Sequence, residues 1–302
     1  MRKTWQSVPL FILALLCASV SVFPQLKISA SSYVPTFVNR TGTNANTDHY
    51  SVTYGADVWV RSMGTVPSWS ADGGQNWTAG TSDVTQGAFR NVEFVNGRFF
   101  ALCDTSCAAG KQIQYSDDGK SWSGATAPTT GIPVNDAKWN DVSFGNGVLV
   151  AVSAGMNAGN ETANRILRST DNGLTWTTGQ LPCRNCSAPL AYETAEAVVF
   201  AEGLFVAVGS KIMTSEDGLT WTVRATATLE DIAYGNGSFV AVTPVGNGTN
   251  HVWRSDNGVS WTTVSHASIG TSPTYVHRIR FGNGVFLFGS STRFLTTANG
   301  ST

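Results

Sequence analysis

The heptapeptide Ser215-Glu216-Asp217-Gly218-Leu219-Thr220-Trp221 decides the fold, because it returns four more times with its tryptophan in register. Ser116-Asp117-Asp118-Gly119-Lys120-Ser121-Trp122 and Ser255-Asp256-Asn257-Gly258-Val259-Ser260-Trp261 have the same length. Ser70-Ala71-Asp72-Gly73-Gly74-Gln75-Asn76-Trp77 and Ser169-Thr170-Asp171-Asn172-Gly173-Leu174-Thr175-Trp176 are one residue longer. The tryptophans at 77, 122, 176, 221 and 261 stand 45, 54, 45 and 40 residues apart, a spacing typical of repeat architectures. Thr296-Thr297-Ala298-Asn299-Gly300-Ser301-Thr302 is a degenerate sixth copy.

A second motif precedes each copy. Phe94-Val95-Asn96-Gly97, Phe144-Gly145-Asn146-Gly147, Phe200-Ala201-Glu202-Gly203, Tyr234-Gly235-Asn236-Gly237 and Phe281-Gly282-Asn283-Gly284 each separate two apolar runs, and Tyr54-Gly55-Ala56-Asp57 is the matching element of a first unit. Asn-Gly between such runs signals a tight hairpin, whose type I′ turn needs positive φ at both central residues. The runs after the turn, such as Val148-Leu149-Val150-Ala151-Val152 and Leu204-Phe205-Val206-Ala207-Val208, are β-branched and aromatic with no helical period. Each unit therefore reads strand, tight turn, strand, loop, strand, aspartate turn, tryptophan strand. The expected fold is all-β: a β-propeller of four-stranded antiparallel blades. Six inner-strand motifs give six blades, or seven were the chain to continue. The extended segment Tyr33-Val34-Pro35-Thr36-Phe37-Val38 is expected to pair with the strand around Arg293–Thr296 and latch the ring, since an open edge strand is a liability.

The aspartate turn has a structural logic. Its carboxylate accepts hydrogen bonds from backbone N–H groups of its own turn, its glycine supplies positive φ, and its tryptophan buries a large ring between sheets. A catalytic group would hardly be copied into every repeat. The S-x-D-(x)-G-x-[TS]-W copies resemble Asp-box repeats, also called bacterial neuraminidase repeats, of the sialidase-like β-propeller superfamily, in the style of its exported bacterial members. The resemblance spans about residues 48–302. Sialidases of that superfamily would need a carboxylate-clamping arginine triad that begins in a Phe/Tyr-Arg-Ile-Pro motif, a Tyr–Glu nucleophile pair and an aspartic acid/base. The nearest string here, Arg278-Ile279-Arg280-Phe281, lacks the proline and sits in the last repeat, where it reads as an ordinary inner strand. Tyr192 and Glu193 are adjacent, and adjacent strand residues point to opposite faces. No catalytic residue is assigned from the resemblance.

Composition narrows the partners. Of 302 residues, 13% are charged and 42% hydrophobic, so the low charge accompanies a large core rather than disorder. Lys plus Arg is 19 against 20 for Asp plus Glu, a net charge of −1, which gives no electrostatic footprint for nucleic acid. Met1 to about Ser21 has the anatomy of a signal peptide: Arg2 and Lys3, an apolar run from Val8 to Ala18, then small residues, with cleavage as late as residue 30. The expected organisation is a signal peptide over 1–21 and a single propeller domain over 31–302. The product is secreted or periplasmic, monomeric, and without a transmembrane span in the mature chain. Cys103 with Cys107, and Cys183 with Cys186, form two close pairs. In an oxidising compartment these read as disulfides, with local pairing the simplest connectivity and crosswise pairing left open. A four-thiolate zinc site is the rival reading, but only one pair has zinc-like spacing. The four histidines are scattered. No cofactor and no metal are expected.

Blade geometry places the loops. The Phe-Gly-Asn-Gly turns and the aspartate turns fall on one face, and the long segments 79–89, 103–111, 124–139, 153–164, 178–195, 243–251 and 264–276 fall on the other. Residues that enter the inner strands from that face are Arg90, Asn140, Asp141, Glu196, Glu230, Asp231, His277 and Arg278. They are expected to ring the channel mouth and form a ligand site, because function concentrates on loops held by a rigid scaffold. The function expected is non-catalytic binding of a glycan or protein partner on this face. A glycosidase that uses Asp141, Glu196, Glu230 and Asp231 as its acid/base set is the alternative. Assembly of a membrane complex is a further one.

Overall fold

A computed structural model of the chain describes residues 51–62, 64–84, 87–105, 110–130, 139–154, 165–179, 181–185, 191–244, 251–265, 276–290, 294–298 and 300. The expected signal peptide, the segment Tyr33–Val38, Cys107 and Cys186 lie outside these residues. Asn-Gly hairpins start each unit as the sequence requires: Asn146 and Gly147 have φ of 49° and 77°, and Asn236 and Gly237 have 47° and 72°. Glu202 takes the same left-handed conformation at φ 52°, where the fourth unit has no asparagine.

The units are antiparallel sheets in sequential order, the arrangement of propeller blades. Blade one comprises Val52–Gly55, Val58–Arg61, Ser68–Ser70 and Thr78–Ala79. Blade two comprises Ala88–Val95, Arg98–Thr105, Ile113–Ser116 and Ser121–Gly124. Blade three comprises Trp139–Gly145, Val148–Ser153, Ile166–Ser169 and Thr177–Thr178. Blade four comprises Ala195–Ala201, Leu204–Gly209, Ile212–Ser215 and Thr222–Ala225. Blade five comprises Asp231–Gly235, Ser238–Val242, His251–Ser255 and Thr262–Ser265. Three strands of blade six are described: Val276–Gly282, Val285–Ser290 and Phe294–Thr297.

Two features depart from the expected pattern. Thr81–Ser82, leaving blade one, pairs in parallel with Ser121–Trp122 and makes blade two a five-stranded sheet. Cys103 sits inside the second strand of blade two, and Cys183 begins a short hairpin, Cys183–Asn185 with Ala191–Tyr192, so neither belongs to an irregular loop as the sequence implied. The strand runs on because its inward residues, Phe99 to Cys103, are all completely buried and keep pairing with Ala88–Val95.

The aspartate turns work as their chemistry dictates. In blade four, Ser215 Oγ donates to Asp217 Oδ1 (3.0 Å) and accepts from Gly218 N (2.8 Å). Leu219 N and Thr220 N donate to the same carboxylate oxygen at 2.8 and 3.1 Å. The backbone N–H of Leu219 leads the effects that hold the Asp217 carboxyl below its usual range, against a desolvation cost. At Asp72 the backbone N–H of Asn76, the Ser70 hydroxyl and the Asn76 side chain do the same. Asn257 keeps the acceptor without the charge, taking Val259 N and Ser260 N at 2.9 Å each. The indole closes the motif: Trp77, Trp176, Trp221 and Trp261 each donate Nε1 to the carbonyl of their turn glycine at 2.9–3.3 Å. Trp122 is the exception, its buried Nε1 without an acceptor among the described residues.

Side chains from the hairpins and the aspartate turns link neighbouring blades on the turn face. Asn146 Nδ2 donates to Gly203 O and Glu216 O of the next blade, and Asn236 Nδ2 to Gly284 O and Ala298 O. The core lies between sheets: Phe100 of blade two meets Trp176 of blade three edge-on at 6.2 Å.

Candidate functional site

The inner strands share one pattern, with the aromatic of the hairpin motif facing the preceding blade and alternate residues facing the following blade. Three residues before that aromatic, blades three and five carry Asp141 and Asp231. Asp141 Oδ1 accepts from Val142 N, and its Oδ2 accepts from Val198 N of blade four, both at 2.9 Å. Asp231 repeats this, taking Ile232 N on one oxygen and Ile279 N of blade six on the other, again at 2.9 Å. Ser51 occupies the same place in blade one and donates to Val92 O of blade two at 3.2 Å. Asn91 in blade two donates Nδ2 to Asn140 O of blade three at 2.6 Å. These residues staple adjacent inner strands. Asp231, expected at the channel mouth, is instead buried beneath it, and Asp141 is half-buried with both carboxylate oxygens taken by backbone N–H groups.

An ionic cluster continues from the staples, with Asp231 buried, Glu93 half-buried and the Arg280 side chain exposed. Arg280 Nη1 reaches Asp231 Oδ2 at 3.0 Å, and its Nη2 reaches Glu93 Oε1 of blade two at 3.6 Å. Burial raises the Glu93 carboxyl despite the nearby guanidinium of Arg280. Burial likewise raises Asp231 against the pull of Arg280 and Arg278. Asp141 is pushed up to about 7, by burial first and by the charge of Glu93 second. The Arg280 guanidinium is correspondingly held charged by Asp231, Glu93 and Asp141, although burial opposes it. Neither Glu93 nor Arg280 was singled out as a site residue, because each reads as the polar half of an alternating strand.

Above the cluster, a cavity of about 360 Å³ opens at the loop-rich end of blades three to six. Asn140, Glu196, Glu230 and Arg278 line it, together with Thr194, Gly209, Ser210, Thr228, Leu229, Ala154 and Pro244. Its wall is organised by hydrogen bonds. Asn140 Nδ2 donates to Glu196 Oε2 at 2.6 Å. Ser210 Oγ accepts from Thr194 N (2.9 Å) and donates to Glu193 Oε2 (2.6 Å), and Glu193 is itself buried. A Cβ on Gly209 would stand 2.3 Å from Thr194 O, so only glycine lets the second strand of blade four pass there. Leu229 N donates to Gly209 O at 2.8 Å and fixes the entry to blade five. The loop residues Thr194, Ser210 and Thr228 carry no motif and had no signal in the sequence. The side chains of Arg90 and His277 lie outside the described atoms. Among the described residues, no group of three His, Cys, Asp or Glu side chains is placed to hold a metal. No helix among them is long and apolar enough to cross a membrane.

No protein-family model matches the chain, and no match was found among curated proteins. Solved structures do match. The chain resembles YCF48 bound to D1 peptide, with a TM-score of 0.57 and 16% identity over 89% of this chain and 81% of that one. It also resembles the extracellular domain of BT4673 from B. thetaiotaomicron, with a TM-score of 0.61 and 10% identity over 84% of this chain and 33% of that much longer one. The computationally designed Ika8 protein matches with a TM-score of 0.52 and 12% identity over 82% and 70%. At these identities the likeness carries the fold, a β-propeller, and not the activity.

Proposed function

We propose that the protein is an exported, non-catalytic β-propeller of the Asp-box, sialidase-like type that binds a protein partner, as a single copy, through the cavity at its loop-rich end. One observation carries this reading: two of the four carboxylates a glycosidase would draw on, Asp141 and Asp231, are committed to backbone N–H groups of the next blade. Glycoside hydrolysis needs a pair of carboxyl groups facing the sugar from opposite sides, and a staple held through both oxygens cannot swing to protonate a leaving group. The remaining lining mixes carboxylates, one arginine, hydroxyls and the apolar Leu229, Ala154 and Pro244. That mixture suits a short polypeptide, which offers amide donors and acceptors, alternating side chains and charge. The peptide seen on the YCF48 propeller supports a peptide over a glycan, as a likeness of fold only. A role in assembling a membrane complex would be one setting for such binding.

The proposal includes export through residues 1–21 and local disulfides Cys103–Cys107 and Cys183–Cys186. In support of the first pair, Cys103 is fully buried in the second strand of blade two, four residues before Cys107. Peptide mapping without reduction should recover both local pairs, and free thiols or bound zinc would refute them. For binding, peptide and glycan libraries are probed with the secreted protein and with its Glu196→Ala/Glu230→Ala/Arg278→Ala variant. The expected result is retention on peptides that the variant loses while it keeps its thermal midpoint. Turnover of a fluorogenic glycoside that Glu196→Gln or Glu230→Gln abolishes would overturn the reading in favour of a glycosidase.

A further inference from the structure

The contacts between consecutive blades follow one rule. At three of the five interfaces an aromatic of one inner strand covers a glycine of the preceding inner strand: a Cβ on Gly55, Gly145 or Gly235 would stand 2.2, 2.0 or 2.1 Å from the rings of Phe94, Phe200 and Phe281, while blades two and four carry Val95 and Ala201 at that position. The glycine of an aspartate turn lies against the second strand of the preceding blade. A Cβ on Gly119, Gly173, Gly218, Gly258 or Gly300 would come within 3.0 Å of Val60, Phe100, Val150, Val206 or Val240 respectively, and all five of those side chains are completely buried.

Blade six presents the same acceptor face uncovered by any described residue. Among the described residues no atom lies within 4 Å of a Cβ on Gly282, and Leu287, the counterpart of those five buried side chains, is 41% exposed. Blade one presents the matching donor face, equally exposed among the described residues. Tyr54, its inner-strand aromatic, is 52% exposed, and Trp59 is 39% exposed where its counterparts Phe99, Leu149, Phe205, Phe239 and Phe286 are completely buried. Exposed apolar groups at matching positions of two facing sheets are not the scatter normal on a surface. Six equal steps of about 60° would bring the sixth blade against the first. The described faces of blades six and one do not cover each other in that way.

We propose that the cleft between blades six and one is a docking face for one further four-stranded blade of the same repeat class. That blade carries an inner-strand aromatic to cover Gly282, an aspartate-turn glycine to cover Leu287, and an inner-strand glycine to receive Tyr54. The proposal is independent of the loop-face cavity.

The test appends a copy of residues 221–265 after Thr302, so that its first strand follows the sixth turn in register and Tyr234 of the copy reaches Gly282. Hydroxyl-radical oxidation is then read at Tyr54, Trp59 and Leu287. The expected result is heavy oxidation of all three in the unmodified chain, a several-fold drop in the fusion with a raised thermal midpoint, and loss of that protection when the host carries Gly282→Val. Unchanged oxidation in the fusion, including through failure of the appended blade to fold, would overturn the proposal, as would protection that survives Gly282→Val. In the unmodified chain, spontaneous disulfide formation between Tyr54→Cys and Gly282→Cys would overturn it too, because it would show six blades closing on themselves.

Discussion

Glycine and aspartate do the most specific work at the scale of single residues, and their roles separate by position. Gly145 lies under the ring of Phe200, whereas Gly282 is open among the described residues. Gly145→Ala should therefore cost about 2–3 kcal/mol through overpacking, and Gly282→Ala should stay within about 0.5 kcal/mol of wild type. Urea denaturation of both variants checks the pair, and equal losses would refute the assignment. The Asp141 staple gives a pH prediction with a definite sign. Asp141 has a folded value of about 7 against 3.8 for the free side chain, so the folded state holds the proton more tightly. Its contribution is present below about pH 4 and is lost as pH rises toward 7. Glu93 and Asp231 are shifted the same way. Thermal midpoints should fall over that window, and Asp141→Asn should flatten the profile. A midpoint that rises from pH 4 to 7 in wild type relative to Asp141→Asn would contradict the burial argument.

At the scale of elements, the repeat was readable because both of its motifs are local. The Asn-Gly hairpin and the aspartate turn each satisfy their own backbone within a few residues, so sequence alone carries their geometry. Asp217→Ala should lose the acceptor for two backbone N–H groups and cost about 1 kcal/mol, discounted for exposure, whereas Asn257→Asp should be nearly neutral because the acceptor is already present. Scanning calorimetry distinguishes the two. The staples were not readable in this way. Alternation shows which face of an inner strand Asp141 occupies, but not that the next blade offers Val198 N as its partner. For that reason a change such as Glu230→Ala with Asp231→Ala, harmless if both lined the mouth, should unfold the protein through Asp231. Glu230 lines the cavity and Asp231 holds blade five to blade six.

At the scale of the whole molecule, counting strands was enough to bring Asn140, Glu196, Glu230 and Arg278 to one end of the channel, because each enters its blade at the same point of the repeat. The rest of the cavity wall comes from Thr194, Ser210, Thr228 and Pro244, whose placement depends on contacts between segments far apart in sequence. The binding account rests on that wall, and hydrogen exchange tests it most directly. The secreted protein is measured alone and with the strongest peptide retained from a library. The account predicts slowed exchange at 194–196, 209–210 and 228–230, with the turn face unchanged. Slowing confined to the hairpins at 96–97, 146–147 and 236–237 would contradict it.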